Sequence, residues 1–352
     1  MEKEKITDAL RGISYPGFSR DIVSFGIVSK ASVSEQKAVI ELELSTQDSK
    51  IVEELIKSIE KKLLLLPEIS DVEINVITAQ KQNNGDQAAV SSPNLEGVKA
   101  IIAIASGKGG VGKSTVAVNL ACALAKTENS SGEKLKIGLM DCDVYGPSIP
   151  QLLGCWQRPE IIGDNRIAPV ENYGIKMISM GLLVDEDSPV VWRGPMIMKT
   201  IQQFASNVDW GELDFLLIDL PPGTGDAQLS IAQVLTLDGA VIVTTPQRTA
   251  FDVAKRGARM FEKLNIPYLG VVENMSFAIE ASTNAKTYPF GKGGGKVISE
   301  SLQTELLSEI PLDTEIREGG DHGIPVVIGA PDAISSEEFN SLARKISKKF
   351  NF

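Results

Sequence analysis

Gly107-Lys108-Gly109-Gly110-Val111-Gly112-Lys113-Ser114 is the stretch that decides the fold. It fits G-x-x-x-x-G-K-[ST], a loop whose backbone N–H groups wrap the phosphates of a nucleotide. The flanks agree with it. The apolar run Ala100–Ala105 reads as a strand leading in, and Ser114–Lys126 as a helix leading out. Glycines let the chain aim its N–H groups inward at the positive end of that helix. Lys113 is expected to bridge the β- and γ-phosphates, and the Ser114 hydroxyl to ligate Mg²⁺. Thr115 completes the expected binding loop, and ATP with Mg²⁺ is the expected cofactor pair.

Outward from the loop, short apolar runs alternate with helical patterns as far as Phe352. Strands are expected at Ala100–Ala105, Ile137–Met140, Phe215–Ile218, Ala240–Val243 and Leu269–Val272. None alternates strictly, which suits parallel strands covered on both faces. The fold class is therefore α/β, a doubly wound and mostly parallel sheet of the P-loop NTPase type.

Several of these strands end in polar groups. Asp141-Cys142-Asp143 follows the second, and along an extended strand end the two carboxylates point the same way. Such a pair can orient an attacking water and a Mg²⁺ shell, although spacing alone also allows two solvated loop aspartates. Phe215-Leu216-Leu217-Ile218-Asp219 is an apolar strand closed by a carboxylate, expected to hold a Mg²⁺-bound water at the ligand edge of the sheet. In Leu220-Pro221-Pro222-Gly223 the prolines stiffen a turn whose Gly223 N–H could sense the γ-phosphate. Val272-Glu273-Asn274-Met275 ends a further strand at the same edge of the sheet.

Ahead of the sheet lies a polar stretch with Gln80, Gln82, Asn83, Asn84, Gly85, Ser91, Ser92 and Pro93, read as a flexible linker over residues 79–97. Residues 1–78 form a small α+β domain in this reading. Ile40, Leu42 and Leu44 alternate with glutamates; Ile51, Leu55, Ile59 and Leu63 recur at helical spacing; Val72, Ile74 and Val76 alternate again. The ATPase-like domain takes residues 98–352.

Lys108-Gly-Gly-Val-Gly-Lys113-Ser-Thr resembles the deviant P-loop of the MinD/ParA-type ATPases. The strings Asp143-Val-Tyr-Gly-Pro-Ser148, Trp192-Arg-Gly-Pro-Met196, Asp219-Leu-Pro-Pro-Gly-Thr-Gly-Asp226, Pro311-Leu-Asp-Thr-Glu-Ile-Arg317 and Gly319-Gly-Asp-His-Gly-Ile-Pro-Val-Val327 narrow this. Together they resemble the Mrp/ApbC family of P-loop ATPases, regarded as iron–sulfur cluster carriers. The N-terminal domain is similar to one shared with iron–sulfur assembly factors.

The resemblance implies a homodimer that sandwiches nucleotide, with Lys108 reaching the partner protomer's phosphates. It implies that Asp143 orients the attacking water, that Asp141 joins the loop and metal shell, and that Asn274 reads adenine. The loop carrying Asp313 is implied to close over the base. Its expected partners are apo iron–sulfur proteins and assembly factors. Family carriers usually present a CxxC after the Asn-Met-Ser turn, whereas this chain reads Asn274-Met-Ser-Phe-Ala-Ile-Glu-Ala-Ser-Thr-Asn-Ala-Lys286. Clusters need soft thiolates, usually four. Of Cys122, Cys142 and Cys155, Cys155 is the candidate iron–sulfur ligand, since Cys122 sits among apolar helix residues and Cys142 alternates away from the nucleotide.

Composition sets the outer bounds. Lys plus Arg is 35 against 46 for Asp plus Glu, a net charge of −11, with aromatics at 5%. That disfavours a nucleic-acid partner or an anionic membrane surface. One histidine and three cysteines leave no common zinc pattern and no disulfide framework. The charged start, Met1-Glu2-Lys3-Glu4-Lys5, and the lack of an apolar run near the roughly 20 residues of a membrane span favour a cytoplasmic protein.

Three rivals stand beside the carrier reading. One is a MinD-like membrane-positioning ATPase using Phe339, Leu342, Ile346 and Phe350 with Arg344, Lys345, Lys348 and Lys349. Another is a ParA-like DNA-segregating ATPase using Lys255, Arg256, Arg259 and Lys263. The third is a cluster-free ATPase acting as a scaffold or adaptor.

Overall fold

In the computed structural model the chain divides into two compact units, Met1–Ala89 and Val90–Phe352. The structure describes residues 6, 9–11, 13, 22–23, 28–34, 37–44, 49–66, 69–78, 95, 97–162, 166–183, 194–223, 226–247, 257, 259–280 and 282–352. Most of the stretch expected as a linker lies outside these residues, as do Ser45–Asp48, Trp192, Arg193, Thr224, Gly225, Lys255 and Arg256.

The first unit is a three-stranded sheet. β1 (Val28–Ser34) pairs antiparallel with β2 (Lys37–Leu44), and β2 pairs in parallel with β3 (Asp71–Thr78). A parallel pair needs a crossover, and the Ser49–Leu63 helix supplies it. Its Leu55, Ile59 and Leu63 are buried against Ile40 and Leu42, the apolar side of the alternating strand. β1 was not foreseen from the sequence.

The second unit is built on eight strands: β4 (Val98–Ser106), β5 (Ile137–Asp141), β8 (Val170–Asn172), β9 (Ile175–Ser179), β10 (Leu213–Asp219), β11 (Gly239–Thr244), β12 (Tyr268–Glu273) and β15 (Leu306–Glu309). Two short hairpins account for the numbers between. They are β6 (Ile161–Ile162) with β7 (Arg166–Ile167), and β13 (Ala278–Ile279) with β14 (Lys286–Thr287). The order across the sheet is β15-β12-β11-β4-β10-β5-β9-β8, parallel throughout except for β8 against β9.

Both faces are covered, which is why the strands read as continuous apolar runs. Phe215 and Leu217 of β10 join one core with Leu120 and Phe339, while Leu216 and Ile218 join the opposite core with Phe204 and Phe261. The Lys113–Lys126 and Ile334–Lys349 helices pack on the first side.

The C-terminal helix answers the membrane rival. Phe339, Leu342 and Ile346 are completely buried. Lys345 donates to the Leu307 carbonyl, Lys349 pairs with Glu305 and Arg344 with Glu337. An apolar stripe so consumed has none left for lipid. Among the described residues no helix is long and apolar enough to cross a membrane. Of the basic patch considered for DNA, Arg259 and Lys263 are exposed.

Candidate nucleotide site

Strand order brings the polar strand ends together. β10 inserts between β4 and β5, so Asp219 stands in register with Asp141 on one side and with Ile104 on the other. β11 flanks β4 across from it, with Val243 opposite Ser106. The crevice beyond these carboxyl ends is where doubly wound sheets take ligands.

From Ser106 the chain turns through the glycine loop into the Lys113–Lys126 helix. Gly110 and Gly112 have φ of 75° and 79°, the left-handed region that glycine tolerates best. At Gly112 an added Cβ would also collide with Asn274 Nδ2, which would have to leave its place.

The loop lysine and serine converge on one carboxylate. Lys113 Nζ donates to Asp219 Oδ1 at 2.6 Å, and Ser114 Oγ donates to Asp219 Oδ2 at 2.6 Å. Asp219 is wholly buried, and burial pushes its carboxyl up despite Lys113. Asp141 is also wholly buried and accepts from the Ser179 hydroxyl at 2.8 Å and the Asp143 N–H at 3.0 Å. Burial first, and the charge of Asp219 second, raise Asp141 to about 7. Asp143 lies nearby, buried, with its Oδ1 3.3 Å from the Gly146 N–H.

Lys113, Ser114 and Asp143 line one of two adjacent hollows. A pocket of about 230 Å³ is bounded by Ser106, Lys108, Lys113, Ser114, Asp143 and Pro222. Sharing Gly112, Thr115 and Ser148 with it, a cavity of about 400 Å³ is walled by Asn274, Met275, Pro311, Leu312, Ile316 and Arg317 among others. The smaller is lined about equally by polar and apolar surface and carries Lys108 and Lys113, and the larger is mostly apolar. A phosphate chain and a base would divide the space in this way.

Gly107, Lys108, Gly109, Gly110, Val111, Gly112, Lys113, Ser114 and Thr115 all belong to the loop and the first helical turn beneath it. Lys108 is only partly buried, its Nζ 3.1 Å from Gln247 Oε1. The Gly223 N–H is turned to the Ser106 carbonyl at 3.2 Å. Asn274 lines the larger cavity while donating one amide hydrogen to the Val111 carbonyl at 2.9 Å. Asp313 lines it too, but its oxygens accept from the Glu315 N–H and the Ser335 hydroxyl, so its carboxylate caps the Thr314–His322 helix.

Sequence reasoning missed Ser148, Gln151 and Arg317 on the cavity wall, Ser179 behind Asp141, and Gln247 beside Lys108. Ser148 and Arg317 lay inside strings already quoted. Ser179 and Gln247 carried no signal of their own, since only strand order brings them here.

The oxygens of Ser114 and Asp219, at and next to the smaller pocket, are hard donors of the kind Mg²⁺ takes. Thiols are placed differently. Cys122, Cys142 and Cys155 are all free and buried, Cys155 at 6% exposure. Burial raises all three, Cys122 to about 12. Among the described residues no group of three His, Cys, Asp or Glu is arranged to hold a metal ion. The stretch after Asn274 forms the β13–β14 hairpin, in which the Thr283 hydroxyl donates to Glu280.

The family model described as NUBPL iron-transfer P-loop NTPase matches residues 97–347, and that described as iron-sulfur cluster assembly protein matches residues 3–76. An iron-sulfur cluster carrier protein of Synechocystis is 40% identical over 356 residues, covering 99% of this chain and 98% of that protein. The mouse iron-sulfur cluster transfer protein NUBPL is 46% identical over 255 residues, covering 72% and 79%. Among solved structures, an Archaeoglobus fulgidus nucleotide-binding protein in complex with ADP is similar with a TM-score of 0.59 and 37% identity, over 70% of this chain and 93% of that one. The cell division ATPase MinD of Pyrococcus furiosus shares the fold at a TM-score of 0.53 and 24% identity, over 71% and 99%.

Proposed function

The chain belongs to the NUBPL iron-transfer P-loop NTPase family, and from that premise we propose that it is a Mg²⁺-dependent ATPase that carries iron–sulfur clusters to apoproteins. One observation carries the enzymatic half. Lys113 and Ser114 meet on Asp219 and line a phosphate-sized pocket that shares Gly112, Thr115 and Ser148 with a base-sized cavity. Lys113 would move from Asp219 to the β- and γ-phosphates and offset their charge. Ser114 and Asp219 would then hold Mg²⁺, which neutralises charge on the phosphates when bound. Asp143, at the mouth of the pocket, would orient the attacking water. Asp141, in register with Asp219, would join the loop and metal shell. Asn274 would read the base from the cavity wall.

Lys108 stands at the pocket rim with its ammonium turned outward to Gln247. That placement favours a homodimer in which it completes the partner protomer's site. The cluster half rests on the full-length similarity to carrier proteins and on the matching N-terminal assembly domain. Of the cysteines we assign Cys155, which follows the Ile149–Leu152 turn at the cavity wall, as ligand. One thiolate from each protomer supplies two of the usual four ligands, and small-molecule thiols, or the donor or recipient protein, fill the remaining positions. A cytoplasmic location goes with this reading.

Steady-state phosphate release with Mg²⁺ and ATP, compared with Lys113→Ala, tests the enzymatic half. Loss of turnover in the variant is expected, and turnover equal to the wild type would refute the site.

A further inference from the structure

The turn after Asp219 is held to the start of the glycine loop by one side chain. Gly223 has φ of 108°, which suits glycine, and its N–H meets the Ser106 carbonyl at 3.2 Å. Gln228, in the first turn of the Asp226–Val234 helix, is 2% exposed. Its side-chain amide donates to the Pro221 carbonyl at 2.5 Å and reaches the Ser106 carbonyl at 3.4 Å. Ser106 is the last residue of β4, directly before Gly107. The same carbonyl thus has two donors, a backbone N–H and a more distant glutamine amide.

We propose that Gln228 is a positioning residue for γ-phosphate sensing, keeping the Ser106 carbonyl hydrogen-bonded when the Gly223 N–H turns to the phosphate. A single N–H aimed at phosphate no longer serves the carbonyl behind it. A buried carbonyl left without a donor opposes the motion, whereas the new hydrogen bond to the phosphate favours it strongly because it is charge-assisted. With Gln228 present the exchange is favourable, since the amide closes on the carbonyl that Gly223 leaves. Without it, the triphosphate makes one bond and strands another. ADP never asks Gly223 to move. Gln228 therefore separates triphosphate from diphosphate without touching either, which deepens the nucleotide-site reading and rests on it.

The test compares wild type with Gln228→Leu, which removes the donor, and Gln228→Met, which keeps the unbranched shape, stays neutral and carries no N–H. Dissociation constants are measured for Mg²⁺-ADP and for a Mg²⁺-bound non-hydrolysable ATP analogue, alongside kcat and KM for ATP, on samples whose fold is checked by thermal melting. Expected in both variants is a roughly tenfold weakening for the analogue with ADP affinity held within about twofold, and a lowered kcat. Equal losses for both nucleotides, or no loss for either, would overturn the role. Should the leucine variant not fold, the methionine variant decides alone. Wild type binding neither nucleotide would fail the nucleotide site itself, a result distinct from failure at Gln228.

Discussion

The Lys113 ammonium lies 2.6 Å from the Asp219 carboxylate, with the two side chains 5% and 0% exposed. The Ser114 hydroxyl takes the other oxygen. The three groups assigned to phosphate and Mg²⁺ are therefore bonded to one another, so nucleotide binding is an exchange of partners. This arrangement satisfies a buried charge that would otherwise be costly, and it holds the lysine at the phosphate pocket.

Removing one member of that pair leaves the other unpaired in a buried place. Lys113→Ala is expected to lose nucleotide binding and to lower the stability of the nucleotide-free protein by about 3 kcal/mol. Denaturant titration and fluorescent-nucleotide binding measure the two effects. Unchanged stability would show that Asp219 finds another partner.

Asp143 is assigned to the water and not to the phosphates. Asp143→Ala is expected to bind ATP within a few-fold of wild type and to hydrolyse it roughly 10²-fold or more slowly. Single-turnover phosphate release separates the steps. Hydrolysis at the wild-type rate would remove Asp143 from the reaction.

Gly112 faces two constraints, a left-handed φ of 79° and the Asn274 amide 2.2 Å from any added Cβ. Gly112→Ala is expected to cost about 1–2 kcal/mol in backbone strain and to push Asn274 off the Val111 carbonyl. Nucleotide affinity should fall with it. A variant with wild-type affinity would mean that Asn274 can move without consequence.

Asp141 gives the nucleotide-free protein a pH signature. Its carboxyl is raised to about 7 in the fold, against roughly 3.9 in an unfolded chain. Between those values the folded state binds the extra proton, so stability from this group is full below about pH 4 and is lost as pH rises through 7. Asp141→Asn should flatten that part of the stability profile, by a few kcal/mol across the window. A profile parallel to wild type would place the proton elsewhere.

The fold was largely legible because one string, Gly107 to Ser114, has few structural readings and the five central strands are apolar enough to be buried on both faces. β9 and β15 were missed for local reasons. Ile175-Lys-Met-Ile-Ser carries a lysine and follows Gly174, and Leu306-Leu-Ser-Glu is too short to stand out from a turn. At the site, residues close to the loop in sequence or ending an apolar strand could be named in advance. Ser179, Gln228 and Gln247 could not, because strand order and the course of the turn after β10 bring them in. The loop carrying Asp313 was expected at the base, and Asp313 lines the larger cavity while both its oxygens are engaged by Glu315 and Ser335, a capping role that the spacing did not announce.

The most direct test of cluster carriage is anaerobic reconstitution with iron and sulfide, followed by iron and sulfide counts per dimer, a visible spectrum and transfer to an apo iron–sulfur protein. The account predicts a bound cluster that is lost in Cys155→Ser and delivered faster with Mg²⁺-ATP than without it. Absence of bound iron and sulfide, in a protein that still turns over ATP, would contradict the carrier assignment and leave a nucleotide-driven adaptor.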